Sequence, residues 1–145
     1  EVGLKGAKMI ANKIKPNIAI ITDVCHDTSS PVYNPAKQGE IIAGNGPVIL
    51  SAPSIHNKLR RKIIKNAKDN KINYQLLASS NRSGTDTDEF AYSNSGVPSA
   101  LISIPLKYMH TTVETAHKKD VKNTVKLFLN LLKNIENNED FRYDR

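Results

Sequence analysis

Asp23 and His110, with Glu1 as a third candidate, are side chains of this 145-residue sequence whose types could hold a divalent cation. Carboxylate and neutral imidazole are standard zinc donors, and both bind through a deprotonated lone pair. Asp23 stands at the end of the apolar run "NIAIITDV", and His110 follows the apolar run "PSALISIPLKYM". In open α/β sheets the functional crevice lies outside the carboxyl ends of the strands, so two such runs aim two donors at one edge. Each residue also has a plainer reading. A histidine after a strand is more often a turn or hydrogen-bonded structural residue, Asp23 could equally cap a turn, and Glu1, the first residue of "EVGLKGA", would ordinarily be passed over on spacing alone.

Other reactive side chains read differently. His26, in "DVCHDT", competes with Asp23, but neighbouring strand-end positions point in different directions; it reads as a loop residue or as a group that orients a ligand. Cys25 has no catalytic histidine and aspartate in recognisable order, which argues against a nucleophile. Asp86, in "SGTDTDEF", could orient a ligand or an anion, although a helix cap made by Thr85 or Asp86 is the simpler use. His56 reads as a capping or packing residue and His117 as surface. Glu114 follows His110 by four residues. The sequence has no glycine-rich phosphate loop, His-Glu-x-x-His helix or paired-cysteine motif.

The elements that must position these residues alternate between strand and helix. "GLKGAKMIANKI" has helical spacing and stops before Pro16. "NIAIITDV" and "PSALISIPL" are apolar on both alternating faces, the pattern of strands covered on both sides. "HDTSSPVYNPAKQG" is a loop, and "EIIAGNGPVILS" reads as two short strands around Gly44–Gly46. "SIHNKLRRKIIKNAKDN" is an amphipathic helix with Ile55, Leu59, Ile63 and Ile64 inward and Ser54 as its cap. "INYQLLAS" is a further strand, and "NRSGTDTDEFAYSNSG" is a polar loop entering a short helix that Gly96 ends. "DVKNTVKLFLNLLKNIE" is a long helix capped by Asp120, with Val121, Val125, Leu127, Phe128, Leu131, Leu132 and Ile135 on a broad apolar face. The fold class expected is α/β, a partly parallel sheet flanked by helices. Residues 1–136 form one unit, and the polar tail 137–145 is expected to fray.

Composition narrows the function classes. The net charge of +7 comes from lysines scattered over predicted helix faces without interleaved aromatic residues, so solvated helix surfaces are favoured over a nucleic-acid platform. No apolar run approaches the roughly 20 residues of a membrane span, and the first residues lack a signal-peptide pattern. One cysteine excludes an internal disulfide and fits a reducing compartment, so a cytoplasmic location is expected.

Taken together, "EVGLKGA", "PNIAIITDVCHDTSSP", "GEIIAGNGPVI" and "SGTDTDEFAYSNSGVPSALISIPLKYMHTTVE" resemble, in this order and at these separations, the C-terminal half of the catalytic domain of TET-type dinuclear metallo-aminopeptidases. This family is also labelled glutamyl aminopeptidase and, formerly, cellulase or endoglucanase. The resemblance implies two divalent ions, zinc or cobalt, and short peptides with a free amino terminus as substrate. It implies that Glu1 and His110 bind one metal and Asp23 the other, and that Asp86 and Glu114 lie beside the ligands or in the substrate pocket. The family's general base corresponds to the position immediately before Glu1, and its other histidine ligand, bridging aspartate and oligomerisation domain also correspond to positions further upstream. On this reading the chain is a piece of a homo-oligomeric aminopeptidase, inactive alone, with no nucleic-acid or membrane partner. The alternative is a non-catalytic interaction module that keeps the peptidase fold.

Overall fold

The computed structural model describes residues 2–30, 33–136 and 139–141. Five strands form one mixed sheet, β1 (Ala19–His26), β2 (Val48–Ser51), β3 (Gln75–Ala78), β4 (Ser99–Lys107) and β5 (Thr115–Ala116). The order is β1-β4-β2-β3, with β5 pairing β4. β1 runs parallel to β4 and β3 parallel to β2, while β2 and β5 are antiparallel to β4. The sheet is thus two parallel pairs joined back to back, and the carboxyl ends of β1 and β4 share an edge. Pro105 sits inside β4, where it has no amide proton to give. It falls between the β2 ladder, whose last partner is Ser103, and the β5 ladder, which begins at Leu106.

Helices α1 (Lys5–Ile14), α2 (Pro35–Gln38), α3 (Asn57–Asp69), α4 (Asp86–Ala91) and α5 (Lys118–Lys133) complete the fold. Strand alternation divides the core. Ile49, Ala100 and Ile102 meet Leu59 and Ile63 of α3 and Leu127 and Leu131 of α5. Their neighbours Leu50 and Leu101 form a smaller cluster with Ile55, which precedes α3 instead of lying on its inner face. α4 packs against β1 and β4 and carries α1.

β4 is buried on both faces, as its composition indicates, but β1 is not. Among the described residues β1 has one sheet neighbour, β4, and the exposure of every second residue, Thr22, Val24 and His26, leaves one of its faces open as well. The expected strand at Glu40–Ala43 is a loop. Ile41 and Ile42 are held there by side chains instead of a ladder: Thr28 Oγ1 accepts from Ile41 N, and the Gln75 amide exchanges two hydrogen bonds with Ile42.

The predicted caps of α3 and α5 move. His56, not Ser54, occupies the N-cap of α3. His117 caps α5, its Nδ1 accepting from Lys119 N, while Asp120 is buried one turn in and accepts from Gly44 N at 2.6 Å and Gly46 N at 2.8 Å. A carboxylate in a first turn is favourable to the helix dipole wherever its oxygens are spent; here the geometry spends them on the 44–46 loop. The broad apolar face of α5 also splits. Leu127 and Leu131 are buried, whereas Val121, Val125, Leu129 and Leu132 form an exposed stripe beside them.

Of the tail, residues 139–141 are described. Glu139 pairs with Lys62 at 2.6 Å, and Phe141 enters the α3–α5 core with its ring edge-on to His56.

Candidate metal-binding cleft

The parallel register of β1 and β4 places His26 beside Leu106, so both strands stop at the same level. Asp23 lies three residues short of the end of β1, opposite Ser103, instead of at the terminus as its sequence position suggests. Its Oδ1 accepts from Val24 N at 2.7 Å. His110 stands on the connection from β4 to β5. Tyr108 and His110 there adopt left-handed φ values of 57° and 64°, a conformation that costs non-glycine residues unless neighbours impose it. Glu114 supplies that constraint, its carboxylate accepting from the His110 backbone N–H at 2.6 Å, and Thr111 donates twice to the Tyr108 carbonyl.

Asp23 and His110 line one cleft of about 350 Å³, together with Cys25, His26, Tyr33 and Thr85. Asp86 is exposed at the start of α4, one residue beyond Thr85, and Glu114 holds the turn under His110 without lining the cleft. Glu1 lies outside the described residues. Among the described residues no three His, Cys, Asp or Glu side chains group closely enough to hold an ion. The donor types in the cleft nevertheless suit a divalent cation, one carboxylate and one exposed imidazole reaching the same space.

Thr85 caps α4, its hydroxyl accepting from Thr87 N, as the sequence indicates for this segment. The helix entry is held further by the buried Asp88. Burial alone would raise the Asp88 pKa, but hydrogen bonds from Gly84 N and from the amide and hydroxyl of Ser83 hold it below the usual carboxylate value.

Cys25 is a half-buried thiol. Desolvation first, then the charges of Asp120, Asp23 and Asp27, push its pKa up to about 12, which leaves it without the thiolate a nucleophile needs. Burial likewise lowers the pKa of His56, with Lys58 adding to it. His26 is exposed, and its Nδ1 lies 2.6 Å from the Tyr33 hydroxyl with the rings 4.9 Å apart.

Asp27, which sequence reasoning did not single out, anchors the wall behind the cleft. It accepts from Ser29 N, the Ser29 hydroxyl and Ala43 N. Desolvation pulls its pKa up, but these hydrogen bonds and the Lys107 charge outweigh it and the pKa is lowered. The only local signal was "DTSS", an aspartate two residues before a serine amide, as in an Asx turn; the contact with Ala43 spans 16 residues.

The description of the M42 glutamyl aminopeptidase family matches residues 1–127. A lysyl aminopeptidase from Pyrococcus furiosus is 36% identical over 138 residues, covering 94% of this chain and 38% of its own length. Among solved structures, a TET aminopeptidase from a marine sediment thaumarchaeote superposes with a TM-score of 0.86 at 29% identity, over 94% of this chain and 38% of that one. The Pyrococcus horikoshii TET1 peptidase, which can assemble into a tetrahedron or a large octahedral shell, gives 0.69 at 34% identity over 90% and 37%. The chain therefore spans less than two fifths of the length of these relatives.

Proposed function

The chain belongs to the M42 glutamyl aminopeptidase family, and from that premise we propose that it forms part of the catalytic domain of a two-metal aminopeptidase that releases N-terminal residues from short peptides. The observation that carries this reading is the meeting of Asp23 and His110 in one cleft at the shared end of β1 and β4. In the proposal Glu1 and His110 hold one ion and Asp23 the other, with zinc or cobalt as the metal. Two divalent ions would polarise a peptide carbonyl and make a bound water acidic enough to attack near neutral pH.

The chain's own residues then have definable tasks. The Asp23 carboxylate and the His110 imidazole supply ligand lone pairs, and Glu114 holds the left-handed turn that presents His110. Asp86 and Glu114 are assigned to the surroundings of the ligands and the substrate. The general base is assigned to a residue that precedes Glu1 in the whole protein, so this chain by itself is not expected to turn over substrate. The whole protein is assigned to the cytoplasm, and a homo-oligomer is proposed by extension from the assembling relatives.

The test uses the full-length protein and a tripeptide substrate. Asp23→Asn and His110→Asn are each expected to lower kcat by at least about a hundredfold, as loss of a ligand to a hydrolytic ion should. Bound metal, read by plasma mass spectrometry, should fall in parallel while the circular dichroism spectrum is kept. Unchanged metal content and turnover in both variants would overturn the assignment. A wild-type protein that binds neither metal nor peptide would return the chain to the reading of a non-catalytic module.

A further inference from the structure

The cleft that holds Asp23 and His110 has a neighbour. A second cleft of similar size lies against it, lined by Asp27, Lys107 and Tyr108 among others, and His26, Tyr33 and Met109 line both. The hydrogen-bonded pair of His26 and Tyr33 thus stands on the boundary between the candidate metal-binding cleft and the space beside it.

We propose that His26 is a substrate-positioning residue, its Nε2–H donating to a backbone carbonyl of the bound peptide where the chain passes from one cleft to the other. This deepens the aminopeptidase reading and rests on it. Three observations carry it. First, the Tyr33 hydroxyl is 2.6 Å from His26 Nδ1. A phenol is the natural donor in such a pair and the imidazole nitrogen the acceptor, so the neutral ring carries its proton on Nε2. Second, among the described residues Nε2 has no protein hydrogen bond, and the side chain is exposed to the cleft. Third, His26 follows Asp23 by three residues along β1, about 10 Å at strand rise, and the odd spacing turns its side chain to the other face of the strand, on the boundary between the two clefts.

That spacing decides what kind of contact His26 makes. An extended peptide advances roughly 3.3–3.6 Å per residue, so a donor that far along the strand meets the substrate away from the bond being broken. Such a contact is made equally in the ground state and the transition state, and its loss appears in KM rather than kcat. Tyr33 acts through His26 by holding the tautomer, and the tilted packing of the two rings fixes the imidazole plane.

The experiment compares His26→Gln, His26→Asn and Tyr33→Phe in the full-length protein with a tetrapeptide substrate. A glutamine amide reaches the position of Nε2, whereas an asparagine amide reaches only that of Nδ1. The expected result is a KM raised about tenfold by His26→Asn and about threefold by Tyr33→Phe, near the wild-type value in His26→Gln, with kcat changed less than twofold throughout. These fold-changes are of the size expected for loss or loosening of one hydrogen bond. If His26 only anchors its own loop through Tyr33, the pattern reverses, with His26→Asn close to wild type and His26→Gln impaired, and the proposal falls. Long-range ¹H–¹⁵N correlation of the imidazole gives a readout apart from turnover: the Nε2–H tautomer in the wild type, mixed tautomers in Tyr33→Phe. A protonated Nδ1 in the wild type would also overturn it. If the wild-type protein cleaves the tetrapeptide and KM does not change in any variant, this inference fails and the aminopeptidase reading stands. If the wild type cleaves no peptide, both fail.

Discussion

At the scale of single residues, the cleft region shows how one environment treats acids differently. Cys25 is denied its charge by burial and by three neighbouring carboxylates. Asp27, more deeply buried, keeps its charge because three donors converge on it. A carboxyl whose folded pKa is lowered stabilises the fold fully above its unfolded pKa, near 4, and that stability is lost as pH falls through the folded value. Thermal melts of the wild type should therefore begin to lose stability below about pH 4, and Asp27→Asn should melt lower at neutral pH with a flatter acid slope. The neutral-pH loss is expected to be about 1–3 kcal/mol, the usual cost of leaving buried donors poorly matched. Identical acid slopes in the two proteins would refute the role given to Asp27. The candidate donors Asp23 and His110 could be singled out in the sequence because an apolar run leads up to each; Asp27 could not, because the partner that defines it, Ala43, lies far along the chain.

At the scale of elements, the 40–46 segment is the clearest departure from periodicity. Its isoleucines resemble a strand, yet Thr28, Gln75 and Asp120 claim the backbone groups that a ladder would use. Gly46 shows how tightly the loop is fitted. Its φ is 106°, and a Cβ there would lie 2.2 Å from the Asn73 carbonyl oxygen. Gly46→Ala must displace the backbone before β3, and a cost of more than about 3 kcal/mol is expected, since clash and forbidden φ act together. Chemical denaturation measures it; a loss below about 1 kcal/mol would mean that the loop yields readily. Helix caps follow the same logic. Ser54 and Asp120 have the right chemistry for caps, but the cap positions fall at His56 and His117; in α5 the Asp120 carboxylate is spent instead on Gly44 and Gly46.

At the scale of the whole molecule, two surfaces lack cover among the described residues. One is the α5 stripe of Val121, Val125, Leu129 and Leu132, and the other is the open edge of β1, where Val24 is exposed. Contiguous apolar surface and an unpaired strand edge both promote association. The 145-residue chain expressed by itself is therefore expected to self-associate, with a sedimentation coefficient that rises with concentration. Val125→Lys combined with Leu132→Glu should reduce that rise without altering the far-ultraviolet spectrum. A concentration-independent monomer would show that these surfaces are tolerated in water. Among the described residues no helix is long and apolar enough to cross a membrane.

The sequence by itself determined the alternation of strands and helices, the doubly buried β4, the cap of α4 by Thr85 and the family. These depend on local period, turn chemistry and motif, which neighbouring residues along the chain carry. Only the tertiary structure decided that β1 is an edge strand, that the sheet joins two parallel pairs antiparallel, and that α5 buries one narrow face and exposes another. It also decided that Asp23 and His110 share a cleft while Asp86 stands outside its lining. Those outcomes depend on which element lies beside which, and burial and hydrogen bonding are settled by neighbours in space that the linear order does not specify.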